Sequence, residues 1–351
     1  MLFQRKKDIL GIDIGSSLVK LVQLKQHNNA YSLLNLGLMP MPPEAIVDNA
    51  LMDSSSIVET LKNLLKSLNI RDKEAASSIA GNSVIIRKIS LPYMPPEELE
   101  DQIQWEAEQY IPFDINDVNI DFQLLAQEDL DSSKMSILLV ASKKDIINDY
   151  ITVFNEAGIK LMVMDVDSFA LQNAFEVNYD PAPDEVYALI NIGASVMNLN
   201  IVRGGVSLFT RDVQMGGNLY TEEIQKQFAL TFDEAERVKL SGESPELERL
   251  QDVMGRINET LAIEIRRSLD FYNSNAGDGK LAKVYLSGGC SKVPMLPEAV
   301  AERLSLPVEL LNPFNKIKFS EKDFDPEYLQ AIGPLVTVAL GLATRRQGDK
   351  W

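Results

Sequence analysis

Two segments of the chain end an apolar run with a polar side chain, a glycine and small residues. They are Gly11-Ile12-Asp13-Ile14-Gly15-Ser16-Ser17 and Leu189-Ile190-Asn191-Ile192-Gly193-Ala194-Ser195. Glycine lets two strands turn tightly there and leaves backbone N–H groups bare toward an anion. Two such turns facing each other could clamp a polyphosphate. Taken alone, each also reads as an ordinary tight turn, with Lys20 on the solvent face of the alternating strand after the first. Glu236 and Lys239, spaced i,i+3, share one helical face; as an isolated pair they would be a solvated salt bridge of little worth. Gly288 and Gly289 follow the apolar strand Val284-Tyr285-Leu286 and read equally as a turn without a ligand. Asp165 and Asp167 open a helix, where carboxylates complement the dipole.

Other chemistry is excluded by what surrounds these residues. The one cysteine, Cys290, permits no internal disulfide and reads as a small residue after a tight turn. The one histidine, His27, stands in a polar turn far from other candidate ligands, which removes His-based metal sites and Ser-His-Asp triads. No Gly-x-x-x-x-Gly-Lys-Ser/Thr occurs, and no Gly-x-Gly-x-x-Gly follows a strand, so P-loop and Rossmann readings lose support. With 51 acidic against 34 basic residues the net charge is −17, which argues against a general nucleic-acid or anionic-membrane surface. The polar start and the lack of a long uninterrupted apolar run predict a cytoplasmic chain without a signal peptide or membrane span.

The elements that must position the two turns repeat. Residues 9–14, 18–24 and 30–38 alternate as three strands before a helix over Ser54–Leu68, capped by the Asp53 cluster. Strand patterns return at Val186–Asn191, Val196–Val202 and Val206–Val213, so the core reads as duplicated. Between the copies lie short α+β units: a strand at Ser83–Leu91, an acidic helix at Pro95–Tyr110, strands at Val118–Ala126 and Met135–Ala141, and a helix at Lys143–Ala157. Helices at Asn218–Phe228, Phe232–Leu240 and Pro245–Ser274 follow the second copy. A strand at Lys283–Leu286, a helix to about Leu304 and a last helix over Pro334–Arg346 complete the pattern. This divides the chain into 1–74, the amino-terminal part of a first half; 75–162, an inserted subdomain; and 163–351, a second half whose last helix, 332–346, returns to the first.

That order resembles the actin-like ATPase superfamily, which implies an α/β fold of two duplicated RNase H-like halves, here with a small α+β insertion in the first. The resemblance makes Asp13, Gly15, Ser16, Ser17 and Lys20 the first phosphate loop, and Asn191, Gly193, Ala194 and Ser195 the second. Asp13 and Asn191 would then hold Mg²⁺ through water, because hard cations take oxygen ligands. The superfamily usually has Asp at the Asn191 position; a neutral amide there weakens metal affinity and any hydrolysis. Gly288 and Gly289 would be the adenosine loop, Glu236 and Lys239 would hold ribose and base, Gly217 would belong to the nucleotide site, and Asp167 is the candidate water-orienting catalytic residue. Gly333 and Gly341 would let two helices cross closely.

Within the superfamily, the insertion is similar to that of FtsA and of the PilM family of type IV pilus proteins. Ile89-Ser90-Leu91-Pro92-Tyr93-Met94-Pro95-Pro96-Glu97-Glu98-Leu99 and Trp105-Glu106-Ala107-Glu108-Gln109-Tyr110-Ile111-Pro112-Phe113 resemble the PilM signature. So do Gly216-Gly217-Asn218 with Thr221-Glu222-Glu223-Ile224, and Asn312-Pro313-Phe314. The resemblance implies an ATP-binding scaffold with weak or absent ATPase activity, bound to the amino-terminal cytoplasmic tail of PilN in a groove between insertion and first half. It would link other inner-membrane and motor components, reach the membrane only through a partner, and bind no nucleic acid; a second copy of the chain is a further candidate partner. An FtsA-like division filament is the alternative, weakened because the end, Ala343–Trp351, has no apolar face of the roughly two turns that membrane anchoring takes.

Overall fold

Alternating apolar residues build a meander of β1 (Leu10–Ile14), β2 (Leu18–His27) and β3 (Ala30–Pro40), followed by the short pair β4 (Ile46–Val47) and β5 (Ala50–Leu51). Helix α1 (Ser54–Ser67) starts where the Asp53 carboxylate accepts from the Ser56 N–H, and it buries Ile57, Leu61, Leu64 and Leu65. Strand β6 (Glu74–Ile79) comes next, then an outgrowth of β7 (Val84–Pro92), α2 (Pro96–Glu108), β8 (Val118–Leu124) and β9 (Lys134–Lys143). Helix α3 (Lys144–Glu156) and β10 (Lys160–Val166) return to the first sheet, whose order is β10-β6-β1-β2-β3. Helix α4 (Asp167–Asn178) crosses to the second half. The computed structural model describes residues 8–28, 30–47, 49–71, 73–81, 84–125, 133–275, 279–346 and 348–349. The polar start at 1–7, the Ser83 and Ala126 ends of two predicted strands, the centre of the 275–279 loop, and Gln347, Lys350 and Trp351 lie outside these.

The second half repeats the meander as β11 (Val186–Ile192), β12 (Met197–Arg203) and β13 (Val206–Val213). Helices α5 (Asn218–Phe228), α6 (Phe232–Ser241) and α7 (Leu247–Asn275) follow. Strand β14 (Leu281–Ser287), α8 (Leu296–Leu304), β15 (Val308–Leu310), α9 (Pro326–Ile332) and α10 (Thr337–Ala343) complete the chain. The second sheet, β13-β12-β11-β14-β15, matches the first strand for strand: an antiparallel meander extended by two parallel strands. Duplication is therefore visible in pairing as well as in sequence. Among the described residues no helix is long and apolar enough to cross a membrane.

The inserted unit is narrower than the 75–162 segment expected from the sequence. Its separate sheet, β7-β9-β8, spans 84–143, whereas β6 and β10 pair in the first half's sheet and α3 gives Tyr150, Val153 and Phe154 to that half's core. Strand β6 escaped notice because it is written Glu-Ala-Ala-Ser-Ser-Ile, without the β-branched run that marks a central strand. Its small residues face two packed helices: Ala76 is fully buried and packs with Ala170 of α4 and with Val338 and Leu342 of α10.

The expected last helix over 334–346 is also interrupted. Gly333–Val336 forms a 3-10 turn, and α10 begins only at Thr337. Pro334 lacks an N–H to donate, and its carbonyl accepts instead from the Gly288 N–H at 2.7 Å, tying this segment to the glycine loop after β14. Helix α10 then lies so close to its neighbours that a Cβ on Gly341 would fall 1.7 Å from the Ala170 carbonyl oxygen. Beyond it, Arg345 pairs with buried Asp165 at 3.2 Å and Arg346 with Asp8 at 2.6 Å, so the chain's last described turn is fastened to the first half.

Candidate functional site

The two hairpins meet. Gly15 donates to the Leu18 carbonyl at 3.1 Å and Gly193 to that of Val196 at 2.9 Å, closing two turns of the same form. The Ser16 and Ser195 hydroxyls lie 2.6 Å apart across the gap between the halves. Turns 178 residues apart in sequence thus share one cleft. Register aligns them further: Asp13 sits opposite Lys20 in the first hairpin, and Asn191 opposite Asn198 in the second.

These cross-strand pairs behave differently. Lys20 Nζ donates to Asp13 Oδ2 at 2.9 Å, both side chains being largely covered. In the second hairpin Asn191 Nδ2 donates to Asn198 Oδ1 at 3.1 Å, and Asn198 Nδ2 donates to Asp212 Oδ1 at 2.8 Å. The other oxygen of Asp212 accepts from the Gly81 N–H, where the chain leaves β6 for the insertion. Burial holds the Asp212 carboxyl above the ordinary carboxylate range, against these donors. A hydrogen-bonded line therefore runs from the second turn, across β12 and β13, to the root of the insertion.

Asp167, the first residue of α4, projects toward the first turn rather than capping its own helix, and accepts from the Ser78 hydroxyl at 2.6 Å. Burial, reinforced by the negative charge of Asp13, pushes its carboxyl up to about 7. Asp165, two residues earlier, is the buried partner of Arg345; burial outweighs that guanidinium and leaves it at about 6. The two aspartates at this helix start consequently divide the work, one in the interior and one in the cleft.

The helical block closes the opposite wall. Gly217 and Asn218 donate from the start of α5 to the Gly193 and Ala194 carbonyls at 2.9 and 2.8 Å. A Cβ on Gly216 would stand 2.5 Å from one of those oxygens and 2.6 Å from the other, so glycine is required for this docking. Helix α6, begun by a capping box of Thr231 and Glu234, carries Glu236 and Lys239 on its inner face. Far from being a solvated pair, they form a cluster: Lys239 is buried, donates to Thr221 Oγ1 at 3.0 Å and touches Glu236, which also accepts from Thr221. Gly288, at φ +85°, packs on the second turn's strand; its Cβ would lie 2.3 Å from the Ile192 carbonyl. Cys290 is buried beside it, its thiol pushed up to about 12 by burial, as a structural cysteine should be.

The structure thus gathers Asp13, Gly15, Ser16, Lys20 and Asp167 on one side, with Asn191, Gly193, Ala194 and Ser195 opposite. Gly217, Glu236, Lys239, Gly288 and Gly289 line the adjoining wall. Ser17 is exposed at the turn's outer edge, its carbonyl accepting from Met41. Sequence reasoning missed Ser78, Asn198 and Asp212, and had Gly216 and Thr221 only as part of the PilM signature, without a place in the cleft. Asn198 had a signal: the 178-residue offset relating Asp13 to Asn191 also relates Lys20 to Asn198. For a hydrated divalent cation the candidate donors are Asp13 and Asp167, whose charges bear on one another, and the Asn191 side-chain oxygen, which now accepts only a long bond from Ser287 Oγ at 3.4 Å while its amide N–H₂ donates to Asn198. These hard oxygens fit Mg²⁺ that keeps most of its waters. Among the described residues no group of three or more His, Cys, Asp or Glu is placed to hold a metal by itself.

Comparison with known proteins agrees with the architecture. The family model for the type IV pilus assembly protein PilM matches residues 11–347. A solved PilM-PilN type IV pilus biogenesis complex contains a chain 31% identical to this one, with a TM-score of 0.87, covering 97% of this chain and 99% of that. More distant likeness shows the actin-like fold alone. The ethanolamine utilization protein EutJ from Carboxydothermus hydrogenoformans is 15% identical, with a TM-score of 0.58 over 97% of this chain and 90% of that. MreB5 of Spiroplasma citri, solved with AMPPNP, is 13% identical with a TM-score of 0.53 over 96% and 95%. The FtsA-like alternative is not favoured by these matches. Fold, signature and both close matches place the chain in the PilM family of type IV pilus assembly proteins.

Proposed function

We propose that the chain serves type IV pilus assembly as a scaffold that binds ATP with Mg²⁺ between its halves and the amino-terminal tail of PilN on its first half and insertion. The observation carrying the nucleotide reading is the 2.6 Å approach of Ser16 and Ser195, which leaves two glycine turns pointing at one volume. Backbone N–H groups of both turns, with Lys20, would hold the phosphates. Asp13, with Asn191 and Asp167 nearby, would orient the hydrated Mg²⁺, which neutralises phosphate charge. Glu236, Lys239 and Gly217 would contact the sugar, and Gly288 and Gly289 the base. Asp167 would hold a water, while Asn191, bringing no charge, would leave any hydrolysis slow.

The PilN reading is supported by the solved PilM-PilN complex at 31% identity. An extended tail bound by main-chain bonds and side-chain pockets is an established recognition mode. Attachment to the inner membrane through that partner, and contact with motor components, follow from the same reading. Calorimetry of nucleotide-stripped protein with ATP and Mg²⁺ tests the first part; no heat signal would end it. Anisotropy of a labelled PilN tail peptide, with and without ATP, tests the second.

A further inference from the structure

The outer face of α2 in the insertion carries an aromatic residue that the fold does not use. Leu99, Ile103 and Ala107 form the buried stripe of this helix, packed on the β7-β9-β8 sheet. Trp105 lies two residues, about 200° of helical turn, from Ile103 and so points away from that sheet. It is 78% exposed, the most exposed large hydrophobic side chain among the described residues. Indole left in water on a rigid helix is the side chain most often found at the energetic centre of an interface.

Its surroundings state the partner's charge. Glu98, Asp101 and Glu108 stand at i−7, i−4 and i+3 from Trp105, on the same helical face, and all three are exposed. Between Ile89 and Ser133 the sequence has twelve Asp or Glu and no Lys, Arg or His. The unit's basic residues, Arg87, Lys88, Lys134 and Lys143, belong to β7 and β9 and not to α2, so none stands on the helix that carries the indole. A guanidinium or ammonium laid over the ring would gain the cation–π attraction and find carboxylates on either side. Anionic lipid headgroups would be repelled by the same charges.

We infer that this face of α2 is a docking surface, taking an Arg- or Lys-bearing segment of a protein partner with one cation seated on Trp105. The surface stands apart from the cleft between the halves and does not depend on nucleotide binding there.

The test uses the full chain and a labelled decapeptide of alternating Arg and Ser, with a citrulline-for-Arg version as the uncharged control. Anisotropy at about 0.15 M salt should show binding of the Arg peptide only. Trp105→Gln, which alters no charge and sits at an exposed position, should weaken that binding about tenfold or more. The triple variant Glu98→Gln, Asp101→Asn, Glu108→Gln should weaken it and flatten its salt dependence. An equal loss of charge elsewhere, Glu243→Gln, Glu246→Gln, Glu248→Gln, should leave it unchanged. Unaltered melting of Trp105→Gln would exclude unfolding as the cause. Absence of binding, or wild-type affinity in Trp105→Gln, would overturn the proposal. So would sedimentation showing self-association that Trp105→Gln abolishes, since the occupant would then be a second copy of the chain.

Discussion

The two hairpins share form and register yet are wired in opposite directions. In the first, charge is balanced locally: Lys20 meets Asp13 across the ladder, and the pair ends there. In the second the same register positions hold two amides, and the polarity passes outward from Asn191 through Asn198 to Asp212 and Gly81. The neutral Asn191 is thus more than a lost carboxylate. With Asn198 where a lysine would stand, a carboxylate in place of Asn191 would face another buried acid, Asp212, with no cation between. The amide suits its neighbour and starts a connection that a carboxylate, having no N–H, could not start. Duplication supplied two copies of one turn; their cross-strand partners made one a local ion pair beside the cleft and the other a link to the insertion.

The largest test of this contrast lies in what supports each turn. Gly216→Val would drive side-chain atoms into the Gly193 and Ala194 carbonyls, which are backbone and cannot yield. A loss of about 3 kcal/mol or more in chemical denaturation is expected, with ATP binding abolished. At Gly15 a Cβ would meet chiefly the flexible end of Lys20, so Gly15→Ala should cost under about 1 kcal/mol. Equal losses at the two positions would refute the asymmetry.

Next is the ion pair. Lys20→Met leaves Asp13 without its partner beside Asp167 and should cost about 1–3 kcal/mol, as expected for a covered charge left unpaired. ATP affinity measured by calorimetry should fall about tenfold or more, one charge-assisted contact being lost.

A smaller effect, with a definite pH signature, is expected at Asp167. Its folded value near 7 lies above the ordinary 3.8, so between about pH 4 and 7 the folded state keeps a proton that the unfolded chain has shed. The stability this confers is present at low pH and lost as pH rises toward 7. Asp167→Asn cannot lose it, and should gain about 1–2 kcal/mol on the wild type between pH 5 and pH 8 in urea denaturation without Mg²⁺. Parallel profiles for the two chains would show that Asp167 is not held protonated by its burial and the neighbouring charge of Asp13.

Much of this arrangement could be read from residue order, because turns and alternating strands are local. Both glycine turns, the meanders, α1, α5, α6 and α7 were legible from spacing. Strand β6 was not: its small residues answer to α4 and α10, which come much later in the chain. Nor was the break at Pro334, whose carbonyl is claimed by Gly288 from another element. In the cleft, residues inside the turns were found, while Ser78, Asn198 and Asp212 were not, and Thr221 stood out only as a signature residue without a role. Each acts through a partner that only pairing or packing brings near. Glu236 and Lys239 show the same limit: their i,i+3 spacing was plain, but the burial that separates them from a surface pair depends on Thr221 in the neighbouring helix.

The finest discrimination comes from rewriting the second turn as the first. Asn191→Asp alone places a carboxylate where its present donor bond to Asn198 is lost and no cation replaces it, costing about 1 kcal/mol in metal-free buffer. Asn198→Lys alone deprives Asp212 of its amide donor, though the new ammonium can lie near it, so its cost is similar or smaller. Together the two changes recreate the Asp13–Lys20 pair at the corresponding register positions. Their combined effect should be milder than the sum of the single effects by about 0.5–1 kcal/mol in a denaturation cycle. Additivity within about 0.3 kcal/mol would mean that Asn191 and Asn198 do not form a matched pair. The double variant should also loosen the hold on Gly81, since the introduced ammonium would turn toward the introduced carboxylate and leave Asp212 without the amide that now orients it. Faster amide exchange at Gly81 in that variant, with exchange at Gly15 unchanged, is the expected sign that the second turn is wired to the insertion and the first is not.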